Sequence, residues 1–336
     1  MPLMPSLDRL RTRTAFVRLT FVALGLLWVI VPSGAMVRLT ASGLGCPDWP
    51  LCDGNVVPAS TGHQLIEFSN RVVSAVVVAV AILSWLVARR IPDGPPALRR
   101  WSGAVALTTA AQLPLGGVTV LTGLHPLAVG AHFLLSMVTL ALVTLLVLSA
   151  LDWRAGRRRG WDRRRGPLAG IVALMGGAVL VSGVIVTAAG PHSGDDDVTE
   201  RFGDFLAAVE VHVRLAIAFT ALAVILIAWV MREGGTDRLT SLMAKIAVPL
   251  ILLQIIIGEY QYRNGLPWGV VLVHVSVAAT LWVVILVACL GIIRPRTEGS
   301  YGLRDATLWQ GTHRTESGSA LSRPSGISAP QSTQTP

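Results

Sequence analysis

The sequence is short of charge. Of its 336 residues only 14% are Asp, Glu, Lys or Arg, against 52% hydrophobic. That balance excludes a water-soluble protein of this length. Cysteine is scarce too, with three in the chain, and no Cys/His group has the spacing of a zinc site. There is no glycine-rich phosphate loop, and no Ser-His-Asp arrangement can be placed. No small-residue cleavage site follows the first apolar run, which therefore reads as a retained helix and not a signal peptide. No apolar run is conspicuously broken at its middle, which argues against a solute transporter built on discontinuous helices.

What is present is a series of apolar runs longer than the about 20 residues a bilayer crossing requires. Lipid leaves a spanning backbone no outside partner, so the expected class is an all-α integral membrane protein. Eight helices are expected, at 15–37, 64–88, 101–121, 127–151, 167–189, 206–231, 240–261 and 268–293. The net charge of +9 is less informative than its placement. Arginines gather at Arg9, Arg11 and Arg13, at Arg89, Arg90, Arg99 and Arg100, seven times between 154 and 165, and at Arg294 and Arg296. These stretches alternate with loops carrying Asp48 and Asp53, or Asp195, Asp196, Asp197 and Glu200. The positive-inside rule makes the arginine-rich loops and both termini cytoplasmic, the expected location being the plasma membrane. Topology accounts for the basic clusters, so no nucleic-acid partner is expected. Residues 1–14 read as a cytoplasmic N-terminus, 152–166 as a basic linker, and 294–336 as a disordered tail low in apolar residues.

The chain also repeats itself. Gln112-Leu-Pro-Leu-Gly116, Gly123-Leu124 and His132 recur as Gln254-Ile-Ile-Ile-Gly258, Gly265-Leu266 and His274, all at an offset of 142 residues. A fixed offset of matched landmarks marks a duplicated unit. Ser33-Gly34 resembles Ser182-Gly183 at an offset of 149. The offset of 142 pairs Asn70 with His212, while a register one residue away pairs Glu67 with Glu210 and Arg71 with Arg214. The first register needs no gap before the third helix. Two tandem four-helix bundles follow, 15–151 and 167–293.

His63, His132, His212 and His274 lie near the ends of apolar runs, with Glu67, Arg71, Glu210 and Arg214 close by. Ionisable groups at membrane depth are costly and normally face the bundle interior. His212 and His274 sit at equivalent depths, and two facing imidazoles make an axial pair for heme iron. His125 and His192 read as solvated loop residues, and His313 as a tail residue. Two cysteines in one loop on the oxidising side, Cys46 and Cys52, point to a disulfide. Cys289 reads as a small core residue.

The string Gly34-Ala-Met-Val-Arg38-Leu-Thr40-Ala-Ser-Gly43-Leu-Gly-Cys46-Pro-Asp-Trp49-Pro, followed by Glu67-Phe-Ser-Asn70-Arg71, resembles the bacterial heme A synthase family over about residues 15–293. The resemblance implies a heme b cofactor held by His212 and His274 in the C-terminal half. It places the substrate, heme O, in the N-terminal half at Asn70, Arg71 and His132. Glu67 and His132 are the implied catalytic residues, with iron bound by His132, His212 and His274. Cys46 and Cys52 match the family's loop cysteine pair. The implied reaction oxidises the C8 methyl of heme O to a formyl group by successive hydroxylations, which supplies heme A for terminal oxidase. Implied partners are heme O, the lipid bilayer, an unnamed electron acceptor, the heme O synthase that makes the substrate, and a second copy of the chain. The chain departs from the family pattern at Asn70, where a histidine is expected. His63 lies seven residues earlier, ~10 Å along the helix, so it replaces that histidine only with a shift of loop or heme. Arg38, Arg71 and Arg214 are candidate partners for heme propionates. The alternative reading is a di-heme b-type membrane cytochrome that only transfers electrons, with the same histidines and no need for Glu67.

Overall fold

The structure is a computed structural model that describes residues 12–58, 62–199, 201–294 and 296–297. Arg9, Arg11, Glu200, His313 and most of the expected N-terminal segment and tail lie outside the described residues. Among the described residues eight helices form: α1 (Arg13–Leu39), α2 (Gly62–Arg89), α3 (Pro96–Leu121), α4 (Pro126–Arg154), α5 (Gly166–Ala189), α6 (Phe205–Glu233), α7 (Arg238–Arg263) and α8 (Trp268–Ile293). All eight are long and apolar enough to cross a membrane.

Local chemistry sets the ends. Thr12 caps α1 by accepting from Ala15 N–H, and Asp204 caps α6 by accepting from Ala207 N–H. Asp237 accepts from both Leu239 and Thr240 N–H at the start of α7. Proline opens α3 and α4, where its missing N–H costs nothing. Pro32, Pro114 and Pro249 lie inside helices, which packed neighbours tolerate in a membrane bundle. Residues 158–159 and 296–297 form a short antiparallel pairing, absent from the reading of the linker as a plain loop.

In the N-terminal half α1 packs along α2 and α4, and α3 fills between α2 and α4. In the C-terminal half α5 pairs with α6 and α7 with α8, while α5 also meets α8. The two halves differ at one seam: α2 lies along α3, whereas α6 and α7 barely touch. The halves meet through α8, which packs on α1 and α4, and through α4 on α5. Trp28 Nε1 donates to Thr280 Oγ1 at 3.0 Å, and Trp282 Nε1 donates to the Met137 carbonyl at 3.0 Å, tying the halves by polar contacts inside an apolar setting. One core cluster holds Leu27, Val31, Val77, Met137 and Leu140 of the first half together with Ala279 of the second. Cys289 is buried in the core of the C-terminal half, as expected.

The loops at one end of the bundle interlock. Gly43 N–H donates to the Gly194 carbonyl at 2.8 Å, joining the loop after α1 to the loop after α5. A Cβ at Gly43 would lie 2.9 Å from that carbonyl oxygen, so the approach requires glycine. The turns before α4 and α8 share one backbone shape. Gly123 and Leu124 have φ of 60° and 58°, and Gly265 and Leu266 have 70° and 58°. Leu124 N–H closes on the Thr119 carbonyl and Leu266 N–H on the Gln261 carbonyl, each at 2.8 Å. A leucine with positive φ is uncommon, and here it recurs at the offset of 142.

Candidate functional site

A cavity of about 1500 Å³ opens at the loop-rich end, lined by α1, α2 and α4 to α8. That is larger than the roughly 300–1,000 Å³ of an ordinary small-molecule pocket. His132, His212, His274 and Asn70 all line it. Four of the residues singled out from sequence are therefore brought to one space.

Each histidine is set by a small residue on the neighbouring helix. A Cβ at Gly183 of α5 would sit 3.2 Å from His212 Cε1. A Cβ at Gly116 of α3 would sit 3.4 Å from His132 Cε1, and one at Gly258 of α7 would sit 3.4 Å from His274 Cε1. Glycine is what lets each ring lie against the next helix. Ser182 Oγ bonds His212 Nδ1 at 2.9 Å, so Nε2 is the nitrogen left for a ligand. His132 Nδ1 and His274 Nδ1 are buried with no hydrogen-bond partner among the described residues. So are Gln112 Oε1 and Gln254 Oε1. Gln112 Nε2 reaches Ser136 Oγ at 2.8 Å, and Gln254 Nε2 stands 3.4 Å from His274 Nε2. Orphaned buried polar atoms are few in native proteins, and imidazoles in a roomy apolar cavity are the donor set of a heme. The residues present fit that group.

Glu67 and Arg71 lie elsewhere. Glu67 is buried, accepts from Cys46 N–H at 2.7 Å through Oε2 and takes the Arg71 guanidinium on Oε1. Arg71 also donates to the carbonyls of Leu51 at 2.7 Å and of Cys46 and Asp48 at 3.2 Å. The pair clamps the loop 40–58 onto α2, and neither residue lines the cavity. Arg71 is thus engaged by Glu67 and the loop carbonyls. Cys46 and Cys52 are joined by a disulfide. Trp49 of the same loop lies on Gly117 of α3, where a Cβ would come within 2.8 Å of its ring. Asp48 accepts from Asp53 and Gly54 N–H at 2.7 and 2.8 Å, and these backbone bonds, that of Gly54 foremost, hold its carboxyl below the usual carboxylate range.

His63 does not reach the cavity. Its Nδ1 bonds Ser42 Oγ at 2.9 Å, fastening the same loop. His125 caps α4 by accepting from Leu127 N–H. His192, expected to be solvated, lines the cavity instead. Its Nε2 bonds the Leu266 carbonyl at 2.8 Å, and its own carbonyl accepts from Arg38 Nη1 at 2.7 Å. Nothing local in the sequence signals this, because both partners are remote. Arg38 and Arg214 line the cavity as well, Arg214 paired with Glu210 one turn away.

The profile of the family described as cytochrome oxidase assembly protein matches residues 17–286. A protein named heme A synthase from Shewanella oneidensis is 25% identical over 302 residues, covering 75% of this chain and 89% of its own length. Proteins of the same name from Bacillus licheniformis and Bacillus pumilus are 33% and 34% identical over 135 and 141 residues, covering 38% and 40% of this chain. The alignments span 43% of the length of each Bacillus relative. With its eight membrane-length helices and a profile match that runs from α1 into α8, the chain belongs to the family of cytochrome oxidase assembly proteins that includes the heme A synthases.

Proposed function

We propose that this chain is a heme A synthase, a multi-pass membrane oxidoreductase that converts the C8 methyl of heme O to a formyl group by successive hydroxylations. The observation that carries the reading is the meeting of His132, His212 and His274 in one large cavity, each ring laid on a glycine of the next helix. The relatives' names agree with it.

In this reading His212 and His274 hold a heme b in the C-terminal half, and His132 holds the substrate iron in the N-terminal half. A heme b held there would supply an electron-transfer centre between the substrate and an acceptor outside the chain. The chain's own residues do the rest. Ser182 fixes the ring of His212. The mostly apolar lining suits a porphyrin. Arg38 and Arg214 stand at the cavity wall, where carboxylates of a porphyrin would meet them. Glu67 takes the role of a positioning residue: both its oxygens are engaged in holding the loop 40–58, so it acts through that loop.

The seam left open between α6 and α7 favours insertion of heme from the lipid on that side. The recurring Leu124 and Leu266 turns and the recurring glycine–histidine contacts support the reading of two duplicated halves. The arginine-rich linker and the arginines before α1 favour cytoplasmic termini in the plasma membrane.

The test is acid extraction and chromatography of hemes from membranes of a host that makes heme O and lacks this activity. With the chain present, heme A or its hydroxylated precursor appears. If the chain carries heme while heme O stays unchanged, it is an electron-transfer cytochrome and the reading falls.

A further inference from the structure

Three of the four equivalent cavity positions carry an imidazole seated on a glycine. The fourth does not. Ser33 Oγ donates to Asn70 Oδ1 at 2.8 Å, as Ser182 Oγ bonds His212 Nδ1 at 2.9 Å. Gly34 stands to Asn70 as Gly183 stands to His212, yet a Cβ at Gly34 meets nothing within 4 Å, whereas one at Gly183 meets the ring at 3.2 Å. The serine anchor is present and the ring is not. The space the ring would fill remains open against Gly34, and Gly34, Asn70 and His132 line the same cavity.

Nothing nearby replaces the missing ligand. His63 is tied to Ser42 and does not line the cavity. His192 has its Nε2 on the Leu266 carbonyl. From α1, α2 and α4 the cavity receives no Met, Cys, Tyr or second His among the described residues. An amide is a poor axial ligand for iron, so among the described residues His132 is the single strong donor that this half gives to the cavity. With Oδ1 taken by Ser33, the Asn70 amide nitrogen is a donor with no partner among the described residues.

We propose that the heme of the N-terminal half is five-coordinate through His132, and that Ser33, Gly34 and Asn70 form a pocket over its open face for a small neutral diatomic ligand. The Asn70 amide is the hydrogen-bond donor of that pocket. This rests on the placement of heme O in the N-terminal half and assigns the open face to residues of this chain. It also gives the asymmetry of the two halves a chemical meaning: the His212–His274 site is closed to exogenous ligands, and the His132 site is open.

The probe is carbon monoxide. The full chain is purified in lipid nanodiscs from a host that makes heme O, its hemes are counted by extraction, and the reduced protein is titrated with carbon monoxide. Expected is one low-spin heme that ignores carbon monoxide and one high-spin heme that binds it. His132→Ala loses the high-spin heme and the carbon monoxide signal while the low-spin heme stays. Asn70→His turns the high-spin heme low-spin and abolishes carbon monoxide binding. Asn70→Ala keeps binding but speeds carbon monoxide release. Two hemes per chain that are both low-spin and inert in the unaltered protein overturn the five-coordinate pocket alone. A chain that retains only the low-spin heme overturns the placement of heme O as well. The unaltered protein gives both readouts, so the outcome does not depend on any variant folding.

Discussion

The Ser182 hydroxyl lies 2.9 Å from Nδ1 of His212, and this bond leaves Nε2 as the imidazole nitrogen open to a ligand. Without it the ring keeps its packing against Gly183 but loses that bond. Ligating histidines depend on such partners for orientation and basicity, and their loss typically costs about 10–100-fold in metal affinity. Ser182→Ala is therefore expected to fold and insert normally while losing heme b more readily. Heme content after competition with apomyoglobin checks it. Retention equal to the unaltered protein would show that the serine does not orient the ring.

The glycines under the rings set a steric limit. A Cβ at Gly258 would sit 3.4 Å from His274 Cε1, and one at Gly183 would sit 3.2 Å from His212 Cε1. The first is ordinary contact and the second is tight. Gly258→Ala is expected to keep heme b with its low-spin spectrum, and Gly183→Ala to shift the electron paramagnetic resonance of the same heme. Gly258→Val and Gly183→Val are expected to lose it. Equal spectra for all four variants would mean that the rings move freely.

Much of this was readable in the sequence, and the failures have physical causes. The eight spans followed from apolar run length. The apolar run begins at 101 but α3 starts at Pro96, since Arg99 and Arg100 interrupt the apolar signal without ending the helix. Long cationic side chains can lie along a helix at the membrane boundary, and the Arg100 guanidinium sits 4.4 Å from the Trp101 ring centroid. His132 and His274 are legible because repetition marks them, and His212 because it lies at the depth of His274. The glycine beneath each ring was visible only as a landmark, since a contact between two helices leaves no periodic signal in either one. The bonds of His192 to Arg38 and Leu266 join three distant segments and could not be read from any one of them.

Asp48 gives the loop 40–58 a defined pH response. Its carboxyl is held below the usual range by the Gly54 and Asp53 N–H groups. A depressed folded-state value stabilises the loop above the unfolded pKa of about 3.9 and loses that contribution as pH falls through the lower folded value. The Asp48 contribution is thus expected to be constant from neutrality to about 4 and to fade below. Asp48→Asn should show the loosened state at neutral pH. Hydrogen exchange at the amides of Asp53 and Gly54 reads both, and exchange unchanged by acid and by the substitution would deny Asp48 this role.

Glu67 separates a positioning role from direct chemistry. Glu67→Ala leaves the Cys46 N–H and the Arg71 guanidinium without their shared acceptor in a buried place. An unsatisfied buried donor costs about 1–3 kcal/mol, more when charged, so the variant should unfold earlier in detergent and expose the Cys46–Cys52 loop to protease. Glu67→Gln keeps an oxygen for the Cys46 N–H and loses only the ion pair. If Glu67 acts by holding the loop, Glu67→Gln should retain most of the stability and a measurable conversion of heme O, with both falling together in Glu67→Ala. If instead Glu67→Gln is as stable as the unaltered chain and makes no heme A, the carboxylate itself moves a proton in the reaction, and the clamp on the loop is secondary. The paired measurement of melting temperature and heme A yield decides between the two, because a structural loss moves both readouts and a chemical one moves only the second.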